Sequence, residues 1–145
     1  MSSTSIRPMR IGDAEAVAAL ATQLGYPSNE MQMTERIPRV IGRDDAAALV
    51  AEDAGSVVGW THVELRRSLV GDREAQIMAL VVDERCRGRG IGAALTAESE
   101  RWAREHGANM VRVGSRTTRE GAHRFYRREG YVLSKTSHWF EKHLA

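Results

Sequence analysis

The sequence predicts an α/β fold of the α+β type, in which a mixed, mostly antiparallel central sheet contains one parallel βαβ crossover. Three β-rich segments, 46–52, 56–69 and 75–82, follow one another with only short turns between them, which favours antiparallel pairing. The run from Ile77 to Val82 is apolar throughout, which indicates burial on both faces. A glycine turn, an amphipathic helical pattern and a β-rich segment at 109–115 come next, and this succession is typical of a right-handed crossover between parallel strands.

The segments before this sheet predict one short strand and two helices. A strand is expected at 6–10. Asp13 is predicted to cap a helix that ends at Leu24, because a Gly-Tyr-Pro stop follows. The pattern from Ser28 to Ile41 is helical again, and Pro38 is expected to kink or split that helix.

The segments after the glycine turn predict the crossover helix and a closing hairpin. Apolar residues recur at helical spacing from Ile91 until His106-Gly107 ends the pattern. A short helix is expected at 120–129, and closing strands are expected at 131–134 and 138–144.

Length, composition and charge limit the classes of protein. The chain has 145 residues, of which 42% are hydrophobic and 28% charged, and this predicts a single domain over 1–145. No apolar run is long enough to span a membrane and no signal peptide is recognisable, so a cytoplasmic protein is expected, in keeping with its single cysteine, Cys86. A net charge of +2 argues against bulk nucleic-acid binding, and the five histidines lack the spacing of metal ligands, so no metal is expected.

A glycine-rich stretch between a strand and a helix predicts an anion site. It reads Arg85-Cys86-Arg87-Gly88-Arg89-Gly90-Ile91-Gly92. Glycines let the backbone turn sharply and approach a ligand, and the helix that follows presents unpaired N–H groups and its positive dipole end. The neighbouring arginines suit phosphate oxygens. The natural ligand of such a stretch is a phosphate or pyrophosphate.

A dinucleotide site is the first alternative, since the stretch from Gly88 to Ala93 formally fits the G-x-G-x-x-G/A fingerprint. The context disagrees, because polar residues separate the strand from the glycines and no ribose-binding acid ends the next strand. A P-loop is excluded, because no Gly-Lys-Ser/Thr follows.

Two motifs resemble those of the GNAT family of N-acetyltransferases. The first is Arg87, two residues, Gly90, one residue, Gly92, which is similar to the family's acyl-CoA motif. The second is the segment 121–131, with its Phe-Tyr pair and its Gly-aromatic end, which is similar to the family's C-terminal signature. The order of predicted elements resembles the family over essentially the whole chain.

The resemblance implies an acetyl-CoA site and roles for particular residues. Backbone amides of 87–92 would hold the pyrophosphate, and backbone groups of Leu80, Val81 and Val82 would hold the pantetheine arm and thioester. Tyr126 matches the tyrosine that commonly protonates the departing thiolate, as a phenol that is still protonated at neutral pH can do. The residues assigned to the cosubstrate are Leu80, Val81, Val82, Arg87, Gly88, Arg89, Gly90, Ile91, Gly92 and Arg119, the last standing where members often have asparagine.

The general base departs from the family's pattern. Gln76 and Met78 occupy the strand positions where members often carry an acid. Glu74 is assigned as the base, and Glu64 and His62 on the adjoining strand are alternatives.

The expected reaction is direct attack of a primary amine on acetyl-CoA in a ternary complex, with a small molecule or peptide as acceptor. The acceptor is expected between the segments 25–41 and 62–74. A homodimer is expected from the resemblance. The absence of the strand carboxylate keeps open a non-catalytic acyl-CoA sensor as the alternative function.

Overall fold

The computed structural model describes residues 4–145, except for the side chain of Asp72. Within these residues the chain forms two compact units, one that extends through Val113 and one from Gly114 to Ala145, and each is described separately below. The single domain inferred from the sequence stays a prediction.

The first unit is a five-stranded sheet with three helices. The order across the sheet is β1-β2-β3-β4-β5, and every neighbouring pair is antiparallel except β4 and β5, which are parallel. The predicted fold class and its crossover are therefore confirmed. The elements are β1 (Thr4–Pro8), α1 (Ala14–Leu24), α2 (Glu30–Ile41), β2 (Ala46–Asp53), β3 (Ser56–Ser68), β4 (Gly71–Val82), α3 (Ile91–Glu105) and β5 (Met110–Val113), with single 3-10 turns at Ile11–Asp13 and Glu84–Cys86.

The turn between β2 and β3 forms as its composition predicts. Ala54 has φ of 50° and Gly55 has φ of 83°, so both central residues are left-handed, as in the tight turns that suit a twisted hairpin. The hairpin continues into β4, and this meander fixes the register of the three longest strands.

The helices cover both faces of the sheet. Helices α1 and α2 pack on one face, where the Trp60 indole N–H donates to the Val17 carbonyl at 3.2 Å. Helix α3 packs on the other face, where Leu95 is fully buried and Thr61 meets Ser99 at 3.4 Å. Side chains alternate between faces along a strand, so Trp60, His62 and Glu64 share the α1/α2 face.

The expectation that Pro38 splits the second helix is wrong. Helix α2 runs without interruption from Glu30 to Ile41. Pro38 lies in the last third of the helix, so its missing N–H costs only one hydrogen bond near the C-terminal end. The buried side chains of Met33 and Ile37 stabilise the helix against that loss. Asn29 and Gln32 form a capping box that fixes the other end.

Asp13 precedes α1 as predicted, but its carboxylate does not cap that helix. It accepts from the Arg10 backbone N–H at 2.8 Å and from both terminal nitrogens of Arg7 at 2.9 and 2.8 Å, and Arg7 also bonds Glu52. The bond from Arg7 is the main cause that lowers the pKa of Asp13 below its usual 3.8. Asp13 therefore ties the start of α1 to β1 and, through Arg7, to β2.

We expect Asp13→Asn to lower the free energy of unfolding by about 2 kcal/mol at neutral pH, because it removes charge-assisted bonds at a buried position. A carboxyl whose pKa is depressed on folding stabilises above its unfolded value and loses that contribution as pH falls through the folded value. The difference between wild type and variant should therefore shrink below about pH 4. Urea unfolding over pH measures this, and Asp44→Asn, at an exposed site, is the control.

The second unit contains one helix, α4 (Glu120–Arg128), which confirms the predicted short helix. The predicted strands at 131–134 and 138–144 are wrong, because the structure assigns residues 131–145 to no strand. A β-rich composition becomes a strand only where a neighbour supplies hydrogen bonds and buries a face. Here Trp139 and Phe140 are 88% and 92% exposed.

Candidate active site

Strand β4 extends beyond its parallel partner. The pairing with β5 runs from Glu74 to Ile77 and stops there. The Asp83 N–H donates to the Val58 carbonyl on the β3 side, and backbone groups alternate in direction along an antiparallel pair. The backbone of Val81 therefore faces β3, whereas Leu80 and Val82 direct their N–H and C=O groups to the edge where β5 pairing has ended.

A β-bulge lies in the middle of β4. His62 pairs with Ala79 and the next residue on β3, Val63, pairs with Ile77, so Met78 has no counterpart. Met78 is 41% exposed, which corrects the expectation that this run is buried on both faces. A bulge bends the strand and redirects its side chains.

The glycine stretch forms the predicted turn into α3. Gly88 and Gly90 have φ of 83° and 80°, in the left-handed region that favours glycine, and a Cβ at either would meet nothing within 4 Å. The first hydrogen bond of α3 runs from Ala94 N–H to the Gly90 carbonyl, so the N–H groups of Ile91 and Gly92 precede the helical ladder. Unpaired N–H groups at the start of a helix are what an anion requires.

Two arginines of this stretch differ in their partners. The Arg89 guanidinium lies 3.5 Å from the Asp53 carboxylate at the β2–β3 turn. Arg87 is exposed, and it forms no ion pair with the described side chains of the first unit. Arg87 is therefore the cation of the stretch that is available to a phosphate.

Asp83 anchors the loop that precedes the glycines. Its carboxylate accepts from the Arg85 backbone N–H at 3.1 Å and from the Arg85 side chain at 3.0 Å, which lowers its pKa to about 2. Gln23, at the end of α1, donates to Asp83 at 3.5 Å and accepts from the Glu84 N–H at 3.0 Å. Sequence reasoning missed both residues: an Asp before a turn is a weak capping signal, and nothing local marks Gln23.

Tyr126 and Arg119 lie in the second unit. Tyr126 is half-buried on α4, with its ring against the edges of Phe125 and Tyr131 at centroid distances of 5.2 and 5.8 Å. Burial raises the pKa of its phenol above 10.0, while Arg119 acts in the opposite direction.

The base assigned from the sequence, Glu74, lies far along the strand from Leu80. Six residues separate them, which corresponds to about 20 Å of strand. Its carboxylate lies 3.4 Å from the Arg112 guanidinium. The structure does not bring Glu74 together with Leu80 and Val82.

His62 and Glu64 lie closer to the bulge. His62 pairs with Ala79, and Glu64 pairs with Gln76. The Glu64 carboxylate is 3.4 Å from His62 Nε2 and 3.1 Å from Arg43 Nη1. Sequence reasoning named the histidine and the glutamate as alternatives but missed Arg43, because a contact across 21 residues leaves no local signal.

No group of three or more His, Cys, Asp or Glu in the described part of the chain could hold a metal ion. Within the same residues, no helix is both long and apolar enough to cross a membrane.

Comparison with known proteins gives one family. A profile of the family described as Acetyltransferase (GNAT) matches residues 15–131. An aminoalkylphosphonate N-acetyltransferase of Salmonella typhimurium is 38% identical over 81 residues, which are 55% of this chain and 53% of that protein. The aminoglycoside N(6′)-acetyltransferase type 1 of Stenotrophomonas maltophilia is 28% identical over 147 residues, which are 99% of this chain and 95% of that protein.

The fold matches as well. A solved structure of the aminoglycoside N-acetyltransferase AAC(6′)-Iy, in complex with CoA, superposes with a TM-score of 0.89 at 18% identity, covering 99% of this chain and 97% of that one. The chain thus spans about half the length of the first relative and nearly all of the other two. The enzyme class inferred from the sequence, an acetyl-transferring acyltransferase, is confirmed by the family and the names of these relatives. Matched over most of its length by the family profile, the chain belongs to the GNAT family of acetyltransferases.

Proposed function

We propose that this protein transfers the acetyl group of acetyl-CoA to a primary amine by direct attack in a ternary complex. The observation that carries the proposal is the glycine turn at Gly88 and Gly90, open to a ligand, at the start of α3 and just after the unpaired edge of β4. Relatives named for N-acetylation of small amines, and a similar fold that holds CoA, support it.

The pyrophosphate is assigned to the backbone amides of 87–92. Anions are stabilised at the N-terminus of a helix by unpaired N–H groups and the helix dipole. Arg87 adds an exposed cation, and Arg119 is proposed for a phosphate of the same molecule on the strength of its place in the motif.

The pantetheine arm is assigned to the edge of β4. Leu80 and Val82 carry the backbone groups that face away from β3, so they can pair with the amides of the arm as a neighbouring strand would. Val81, between them, contributes its buried side chain to the core. A backbone N–H of this edge would stabilise the oxyanion that forms when the thioester carbonyl is attacked.

Tyr126 is proposed as the general acid because it matches the tyrosine of the Phe-Tyr motif. Loss of the acetyl group leaves a CoA thiolate, and a phenol with a raised pKa remains protonated at neutral pH. Donation of that proton completes departure of the leaving group.

The test is acetyl transfer itself. The protein is mixed with acetyl-CoA and a panel of amines, and free thiol is followed with a chromogenic disulfide while products are identified by mass spectrometry. The panel contains an aminoalkylphosphonate and an aminoglycoside, after the relatives, together with a polyamine, an amino acid and a peptide with a free N-terminus. We expect thiol release that depends on the amine and an equal amount of acetylated product.

Two outcomes would contradict the proposal. Binding of acetyl-CoA without turnover for every amine would favour the sensor, for which the non-acidic Gln76 and Met78 are the supporting observation. Failure to bind acetyl-CoA in calorimetry would remove the cosubstrate assignment altogether.

The acceptor is assigned only as a primary amine.

A homodimer and a cytoplasmic location are further parts of the proposal. The second is supported by the free thiol of Cys86, since cysteines stay reduced in that compartment.

A further inference from the structure

A polar cluster lies on the α1/α2 face of the first unit, and we name it the His62 cluster: His62, Glu64 and Arg43. The Glu64 carboxylate oxygen Oε2 is shared, at 3.4 Å from His62 Nε2 and 3.1 Å from Arg43 Nη1. Arg43 Nε also donates to Asp45 at 2.8 Å, which fixes the guanidinium against the sheet. The Glu64 side chain is only 15% exposed, and its carboxylate contacts both His62 and Arg43.

The two nitrogens of His62 are in different surroundings. Nε2 is buried and makes no hydrogen bond among residues 4–145, and its approach to Glu64 has the distance of an ion pair without the geometry of a hydrogen bond. The side chain as a whole is 22% exposed, so the accessible part of the ring is not Nε2. This arrangement leaves Nδ1 to accept a proton from a ligand, and directs Nε2 at a carboxylate that can stabilise the resulting cation.

The cluster lies one strand away from the proposed thioester position. His62 is opposite Ala79 and Glu64 is opposite Gln76, so the pair flanks the bulge at Met78. Neighbouring strands are about 5 Å apart, whereas Glu74 is about 20 Å along the strand from Leu80. The cluster thus supplies titratable groups beside the stretch of β4 that lacks an acid.

We propose that His62 is the general base that deprotonates the acceptor ammonium, with Glu64 as the positioning residue that holds and stabilises the imidazolium. The assignment rests on the proposed function. One ammonium proton passes to Nδ1 and then to solvent, and the amine lone pair forms the bond to the thioester carbon. The carbon–sulfur bond then breaks. The nitrogen loses its second proton as the amide forms, and the CoA thiolate gains one proton, so the reaction releases one proton to solvent overall.

The protonation state of His62 agrees with this role. Burial is the main cause that lowers the pKa of His62 below its ordinary 6.5. Glu64 raises this pKa and Arg43 lowers it, and the residues opposite His62 on β2 and β4, Ala48 and Ala79, carry no charge. The imidazole is therefore the free base at neutral pH, ready to accept a proton.

The test compares His62→Gln, Glu64→Gln and the control His138→Gln, at an exposed position of the second unit, with wild type. We expect H62Q to lower kcat about tenfold or more and to abolish the acidic limb of the kcat/KM profile, with the Kd for acetyl-CoA unchanged. E64Q should move that limb to lower pH, because Glu64 raises the pKa of His62. The control should match wild type in kcat, in the acidic limb of the kcat/KM profile and in the Kd for acetyl-CoA.

Retention of both kcat and the acidic limb by H62Q would overturn the assignment, and so would an unmoved limb in E64Q. If H62Q does not fold, as judged by circular dichroism and acetyl-CoA binding, E64Q decides alone. A wild-type protein that binds acetyl-CoA and acetylates no amine overturns the proposed function and this assignment together, whereas turnover that H62Q and E64Q leave unaltered overturns this assignment only.

Discussion

Tyr126→Phe should lower kcat about a hundredfold or more while the Kd for acetyl-CoA changes less than about twofold. The substitution keeps the ring and its edge contacts with Phe125 and Tyr131, and removes only the hydroxyl. Because burial raises the pKa of this phenol above 10.0, any basic limb that Tyr126 contributes to the wild-type profile lies above pH 10.0 and disappears in the variant. Steady-state kinetics over pH, with calorimetry for binding, give both quantities.

Tyr131→Phe is the matched control, since it loses a hydroxyl from the other ring of the same contact. Its kcat should stay within about twofold of wild type. Equal kcat for Tyr126→Phe and wild type would remove the general-acid role. A parallel loss of acetyl-CoA affinity would instead assign Tyr126 to binding.

Gly90→Val should weaken acetyl-CoA binding by about a hundredfold. Gly90 has φ of 80°, a conformation that costs a β-branched residue about 3 kcal/mol, so the turn either remains strained or leaves the shape that presents its amides. A Cβ at this position meets nothing within 4 Å, so internal clashes do not explain a loss. Calorimetric titration with acetyl-CoA measures the effect.

Gly107→Val separates loss of the ligand site from loss of stability. Gly107 has φ of 86°, also has open space where a Cβ would stand, and lies past the opposite end of α3. We expect a similar fall in thermal stability for the two variants and normal acetyl-CoA binding for Gly107→Val. Equal affinity of both variants for acetyl-CoA would show that the amides of 87–92 do not hold it.

The sequence alone determined the fold class and the positions of the two motifs, because both depend on local chemistry. Gly88 and Gly90 adopt the left-handed backbone that glycine favours, and the apolar spacing after Ile91 gives one buried helix face. Predictions from local residue preferences were wrong where tertiary contacts, or their absence, decided the structure. Pro38 is accommodated inside α2, and the β-rich composition after residue 130 forms no strand among the described residues.

Only the tertiary structure decided how the surroundings of the site are built. Gln23 meets Asp83 across 60 residues and Arg43 meets Glu64 across 21, and such contacts depend on how the strands and helices pack. The bulge at Met78 and the end of β5 pairing at Ile77 are set by strand register, which no residue type encodes by itself. The glycine turn before α3 could therefore be located from glycines and spacing. The proposal of His62 in place of Glu74 required the sheet, because strand pairing determines which side chains lie near Leu80.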